Sequence, residues 1–171
     1  MTIDEIIDFV AGLDGVLTVR PAPGDGTPEI AWGDVFFSYA PDGAPTAAQP
    51  FATIVTKDYP GDTSSRLDRP GAFRVNVAAG KEEFARWTGH APRETAAAGT
   101  APDAEDTVLA HPVYGGAGWL AVVNPGGRTA AATLDLLRTA HQLARARHER
   151  HERHERRERH ERHERRTGPS A

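Results

Sequence analysis

The chain has 171 residues, with 20 Lys and Arg against 24 Asp and Glu and no Cys, a size that suits one folded domain. Its longest apolar run is Trp119 to Val123, far short of the roughly 20 residues a spanning helix needs. The lack of Cys excludes disulfides, thiolate zinc sites and thiol nucleophiles together.

Charge is unevenly divided, because residues 1–144 hold 10 basic and 18 acidic side chains (net −8) while 145–171 hold 10 and 6 (net +4). The tail's apolar residues are only Ala146 and Ala171, so the core has to come from 1–144. This predicts a single domain over 1–144 and a low-complexity tail over 145–171. Asp4, Glu5 and Asp8 stand where a signal peptide would be basic, and a cytoplasmic protein is expected. Arg outnumbers Lys 18 to 2, the bias of GC-rich codons, which points to a high-GC bacterial source.

In chain order, Thr2 and Glu5 make a Thr-x-x-Glu capping box, and Ile3, Ile6, Ile7 and Val10 form one helical stripe before Gly12. Short β-branched and aromatic stretches follow at Val16–Arg20, Glu29–Trp32, Val35–Ala40 and Phe51–Asp58, punctuated by Pro, Gly and Asp. They predict a meander of strands. Ala72–Ala78 alternates, with Phe73, Val75 and Val77 on one face and Arg74 and Asn76 on the other, as in a half-buried strand. Lys81–Thr88 reads as a short helix on which Phe84 and Trp87 share a face. Residues 90–106 are mostly Ala, Pro, Thr and charge, a composition expected to form a mobile excursion. Trp119–Asn124 predicts a last strand, and Thr129 to about Arg147 a helix with Leu134, Leu137 and Ala144 inward.

The expected class is therefore α+β: an antiparallel sheet of about five to six strands, with the N- and C-terminal helices on one face. The other face is expected to be partly open. The first helix, Val35-Phe36-Phe37-Ser38-Tyr39, the step from Phe73-Arg74-Val75-Asn76 to Phe84, His111-Pro112-Val113-Tyr114, Trp119 and the terminal helix carry a likeness. On these residues the chain resembles an actinobacterial family of uncharacterised proteins, a domain of unknown function, and more distantly the MmcQ/YjbR-like fold, over roughly 1–144. The nearer resemblance implies a fold and no reaction. The more distant one implies a compact sheet-and-helix domain sometimes labelled DNA-binding, a label at odds with a body of net −8 that repels phosphates.

Signatures of phosphate loops, dinucleotide folds, serine hydrolases and zinc peptidases are missing. Gly24-Asp25-Gly26 and Gly115-Gly116-Ala117-Gly118 read as turns. His90 and His141 have no partner at ligand spacing and read as surface or structural residues, so no metal is expected in the body. Asp34 reads as a turn residue. Lys57, Arg66 and Arg69 alternate with Asp58, Asp62 and Asp68 and read as solvated surface pairs.

The candidate pocket is His111, Tyr114 and Trp119 with Arg74 and Asn76, a set suited to a small anion or an aromatic ligand. The competing reading makes His111-Pro112 a loop stiffener and Trp119 a core residue with its ring nitrogen bonded to backbone.

The tail repeats His-Glu-Arg from His148 to Arg166, broken at Arg156-Arg157 and Arg165-Arg166. As a helix it would pair Glu149 with Arg153, Glu152 with Arg156, Glu155 with Arg159, Glu158 with Arg162 and Glu161 with Arg165, each worth about 0.2 to 0.5 kcal/mol. Without an apolar stripe it is expected to extend the last helix as a fraying, solvent-surrounded rod. His148, His151, His154, His160 and His163 are weak, adventitious zinc or nickel ligands. The favoured reading is a non-catalytic domain that binds a small molecule or a protein partner, with no cofactor, no membrane and no specific nucleic acid. The alternatives are an enzyme using His111 as acid or base with Arg74 holding an anion and, more weakly, nucleic-acid contact through the tail.

Overall fold

The computed structural model describes residues 1–45, 48–94 and 99–167, with side chains as far as 163. The first helix, α1 (Ile3–Ala11), begins at the expected box: Thr2 Oγ1 accepts from Glu5 N at 3.2 Å and Thr2 N donates to Glu5 Oε2 at 2.7 Å. Six strands follow, β1 (Val16–Val19), β2 (Val35–Tyr39), β3 (Ala52–Val55), β4 (Arg74–Val77), β5 (Val108–Ala110) and β6 (Leu120–Val123). They form one antiparallel sheet in the order β1-β2-β3-β4-β6-β5. Two helices complete the fold, α2 (Gly80–Thr88) after β4 and α3 (Ala130–Thr167) after β6.

One sheet face carries Val35, Phe37, Ala52, Ile54, Val75, Val77, Leu120 and Val122, which make the main core with Ile6, Ile7 and Val10 of α1, Phe84 of α2 and Leu136, Leu137 and Ala140 of α3. Strand alternation puts every second residue on that face. All three helices therefore cover the same side. On α3 the most deeply buried leucines are Leu136 and Leu137, with Leu134 and Ala144 at the margin. Phe84 is buried, whereas Trp87 is 40% exposed; a nine-residue helix lying on a sheet seats only its innermost aromatic.

The second face departs from expectation. It carries Phe36, Thr53, Val55, Arg74, Asn76 and Val123, yet Arg74 and Asn76 are as buried as the core. The cause is the long β3–β4 loop, which folds back over the sheet and seats Leu67 and Ala72 against Val123 and Val55. Aspartates hold the loop in place: Asp58 Oδ1 accepts from Leu67 N at 2.8 Å, and Asp58 N donates to Asp68 Oδ1 at 3.0 Å. Asp58, and Asp62 through Arg74, are therefore half-buried structural acceptors, whereas Asp68 accepts from the Asp58 backbone at an exposed position.

Three further expectations are corrected. Glu29–Ala31 is a 3-10 turn and not a strand, with Ile30 45% exposed; its hydrogen bonds run back to Pro28 and Glu29 instead of across a sheet. The strand expected to run to Asp58 ends at Val55, where the backbone turns so that Thr56 N donates to Asp34 Oδ1 at 2.8 Å. Strand β5 lies where none was expected; three residues long, it pairs only with β6.

Of the segment 90–106, residues 95–98 lie outside the described residues. Its far end is tied down by polar contacts. Arg69 bonds Glu105 at 3.0 Å and Arg66 bonds Asp103 at 3.3 Å. Asp106 accepts from Gly126 N, Thr129 N and Thr129 Oγ1 at 2.7, 2.9 and 2.6 Å. These groups precede α3, so a carboxylate from a distant loop satisfies donors that the helix start leaves open.

Helix α3 continues far into the tail. It leaves the body later than expected, because His148 packs edge-on to Tyr39 at 5.4 Å and Arg145 reaches Asp14 at 3.7 Å. Beyond, Glu152–Arg156, Glu155–Arg159 and Glu158–Arg162 pair at 3.4, 3.4 and 3.2 Å. Glu149 turns back to Arg145 in place of Arg153, and Glu161 bonds Arg157; the expected Glu161–Arg165 pair lies outside the described side chains. No helix among the described residues is long and apolar enough to cross a membrane.

Candidate functional site

Between the second sheet face and the loops that fold over it lies a cavity of about 410 Å³. Its floor is Phe36, Thr53, Val55, Arg74 and Asn76 of β2, β3 and β4; one wall is Tyr59 to Asp62, the other is His111 with Val113, Tyr114 and Trp119. All five residues of the candidate pocket are brought together here. The register explains this: Arg74 and Asn76 are two apart on one face of β4, and β6, which Trp119 immediately precedes, is its hydrogen-bonded neighbour.

Arg74 organises the site and is only 2% exposed. Its Nε donates to Asn76 Oδ1 at 2.7 Å, its Nη1 to Asp62 Oδ1 at 3.0 Å and to Ser65 Oγ at 2.8 Å, and its Nη2 to Asp62 Oδ2. Asn76 in turn donates to Thr53 Oγ1 at 2.9 Å. A two-pronged guanidinium–carboxylate pair is the strongest geometry available for a buried charge. Burial pushes the Asp62 carboxyl up, but the hydrogen bonds and charge of Arg74 outweigh it and hold the group below its ordinary value.

His111 is 3% exposed and faces Arg74, with Nε2 3.2 Å from Nη2. On the other side of the ring, Nδ1 lies 3.1 Å from both Val113 N and Tyr114 N. The loop is closed by His111 N donating to Trp119 O at 2.9 Å and Gly115 N to His111 O at 2.9 Å. Burial first, and the Arg74 charge second, pull the imidazole down to about 4 from its ordinary 6.5, against the pull of Asp62. It is neutral at physiological pH. Around it the rings cluster, His111 to Tyr114 at 4.9 Å and Tyr114 to Trp119 at 6.3 Å. Tyr114 is 53% exposed at the mouth. Trp119 is buried at the wall, and its ring nitrogen makes no backbone hydrogen bond among the described residues, unlike that of Trp32, which bonds Thr27 O at 3.3 Å.

Three residues that the sequence pattern does not place in the site belong to it or brace it. Asp62 and Ser65 sit 12 and 9 residues before Arg74 in the chain, and no local spacing signals that pairing. Asp34 is a buried carboxylate and not a turn residue; it accepts from Thr56 N, Thr56 Oγ1, Lys57 Nζ and the Tyr59 hydroxyl. Burial and the Asp34 carboxylate push the Tyr59 phenol far up, so the cavity wall carries a neutral phenol.

The remaining His residues stand apart. His141 packs against Phe51 and Tyr39 with Nε2 2.7 Å from Asp14 O, and His90 lies edge-on to Phe84. In the tail, His148, His151 and His154 face Glu152, Glu155 and Glu158. Among the described residues no three His, Asp or Glu side chains gather as a metal site.

No curated protein and no solved structure matches this chain. One family model does, across residues 1–154, from α1 through the sheet and into the extended part of α3. The chain belongs to the Family of unknown function (DUF6194).

Proposed function

We propose that this protein is a non-catalytic binding domain whose cavity on the second sheet face takes a small molecule. The observation that supports this is the convergence of Arg74, Asn76, His111, Tyr114 and Trp119 on one cavity of about 410 Å³. Its walls are mostly aromatic and aliphatic with a few fixed polar groups, the usual make-up of a ligand site. A protein partner is less well served, since Arg74, Asn76 and His111 are recessed, and among the large hydrophobic residues that line the cavity Val113 and Tyr114 are the exposed ones.

The enzyme reading is weakened by the same contacts. Arg74 already spends four of its five donors on Asp62, Ser65 and Asn76, and its charge is matched by Asp62, so it offers a substrate anion one N–H and no uncompensated charge. The His111 nitrogens face Arg74 on one side and two backbone amides on the other, which leaves no lone pair turned to a substrate proton. Nucleic-acid contact falls to the tail alone. The Arg-rich composition supports a GC-rich actinobacterial source, and the lack of Cys fits a reducing compartment such as the cytoplasm.

A screen of small aromatic and heteroaromatic compounds by NMR tests the reading. Hits should move the indole N–H signal of Trp119 and leave that of Trp87, which sits on α2 away from the cavity. Tyr114→Ala, at an exposed rim position, should weaken them without unfolding the protein. Hits that move the Trp87 and Trp119 signals alike, or none at all, would remove the cavity as a binding site.

A further inference from the structure

The hydrogen bonds around His111 do not add up within the protein. A neutral imidazole has one bare nitrogen and one N–H. Here three donors face it, Val113 N and Tyr114 N at Nδ1 and Arg74 Nη2 at Nε2. An imidazolium would have no lone pair for any of them and would stand beside a guanidinium. Placing the proton on Nδ1 would set an N–H against two amide N–H groups. Placing it on Nε2 keeps both amide bonds and leaves one mismatch, the His111 Nε2–H beside an Arg74 N–H, 3.2 Å apart.

That mismatch is costly where it lies, because both side chains are more than nine-tenths buried and an unmet buried donor forfeits its solvation. Both residues also line the cavity. What the pair lacks is an acceptor. Resting on the binding reading above, we infer that the ligand is an uncharged planar molecule that presents a carbonyl-type oxygen to His111 Nε2 and Arg74 Nη2.

Neutrality follows from the charge count at the site. Arg74 and Asp62 cancel and His111 carries no charge, so an incoming anion would lose its hydration without gaining a free cation. The acidic total of the body adds to that cost. Planarity follows from the walls, where Phe36, Tyr59, Tyr114 and Trp119 offer ring surfaces against which a flat ring is well packed.

Two measurements on the full-length protein decide this. The first is the tautomer of His111, read from long-range proton–nitrogen correlations at neutral pH. A proton on Nε2 is expected; a proton on Nδ1 would mean that Nε2 accepts from Arg74, and the inference falls. The second compares benzamide, benzoate and toluene in NMR titrations that follow the His111 and Trp119 ring signals. Benzamide should bind roughly tenfold or more tightly than either of the others, the ratio expected for one buried hydrogen bond made or missed. Benzoate equal to or tighter than benzamide would make the site an anion site and overturn the inference. Toluene binding as well as benzamide would overturn it too while leaving the binding reading in place, and no response to any of the three would sink both.

Discussion

His111 carries the clearest consequence of burial for a single side chain. Its imidazole is held down at about 4 in the folded protein, against an ordinary 6.5. Above 6.5 the ring is neutral in both states and its contribution to stability is intact. As the pH falls below that, the unfolded chain takes up a proton that the folded protein refuses, so stability is lost progressively until the folded group also titrates near 4. The whole shift is worth on the order of 3 kcal/mol, and Asp62, also lowered, adds a loss of the same sign at more acid pH. Urea midpoints for the protein and for His111→Gln, compared at about pH 7 and about pH 5, should show the native chain losing about 2 kcal/mol more than the variant. Equal losses would mean that the ring is hydrated and not sealed against Arg74.

Among the elements, α3 depends on a residue outside itself. Asp106, in the left-handed region at φ 51°, accepts from Gly126 N, Arg128 N, Thr129 N and Thr129 Oγ1. Those bonds, that from the Thr129 hydroxyl foremost, hold its carboxyl well below the usual carboxylate range. Asp106→Ala should lower Tm clearly and weaken hydrogen-exchange protection first in the opening turns of α3; protection lost evenly over the chain would argue against a capping role. The other end of the helix has a boundary that can be located by truncation. Ending the chain after Arg153 keeps the His148–Tyr39 and Arg145–Asp14 contacts and should leave Tm unchanged, whereas ending it after Ala140 removes both, along with buried His141, and should lower it. How much of this was legible follows from the range of each interaction. The capping box of α1, the alternation of β4 and the stripe of α3 are local patterns and could be read directly. Glu29–Trp32 has the β-branched and aromatic residues of a strand in Ile30 and Trp32 but no neighbour to pair with, and β5 is too short and too plainly composed to signal itself. Arg74, Asn76, His111, Tyr114 and Trp119 stood out by residue type, whereas Asp62, Ser65 and Asp34 acquire their roles only from partners that folding brings beside them.

At the scale of the whole molecule the division of charge is the governing fact, net −8 over residues 1–144 and +4 over 145–171. Folding sharpens this division. In the body, Arg74 is buried against Asp62, Lys57 turns in to Asp34, and Arg66 and Arg69 bond Asp103 and Glu105, so the basic residues of the β3–β4 region are matched by carboxylates and do not form a bare stripe for phosphates. Residues 150–163 of the tail form an exposed stretch of α3 whose arginines alternate with glutamates only partly able to offset them. Binding to duplex DNA draws its nonspecific strength from cations that release condensed counterions. A chain of residues 1–147 should therefore show no measurable binding at about 150 mM salt. Any binding by the full-length protein should be indifferent to base sequence and should weaken steeply as salt rises. Fluorescence anisotropy with two unrelated duplexes, at two salt concentrations and on both chains, measures this directly. Sequence-selective binding by residues 1–147 would require Arg66 and Arg69 to leave Asp103 and Glu105 for phosphate, and the second sheet face would then have to be reassigned from a small-molecule cavity to a nucleic-acid surface.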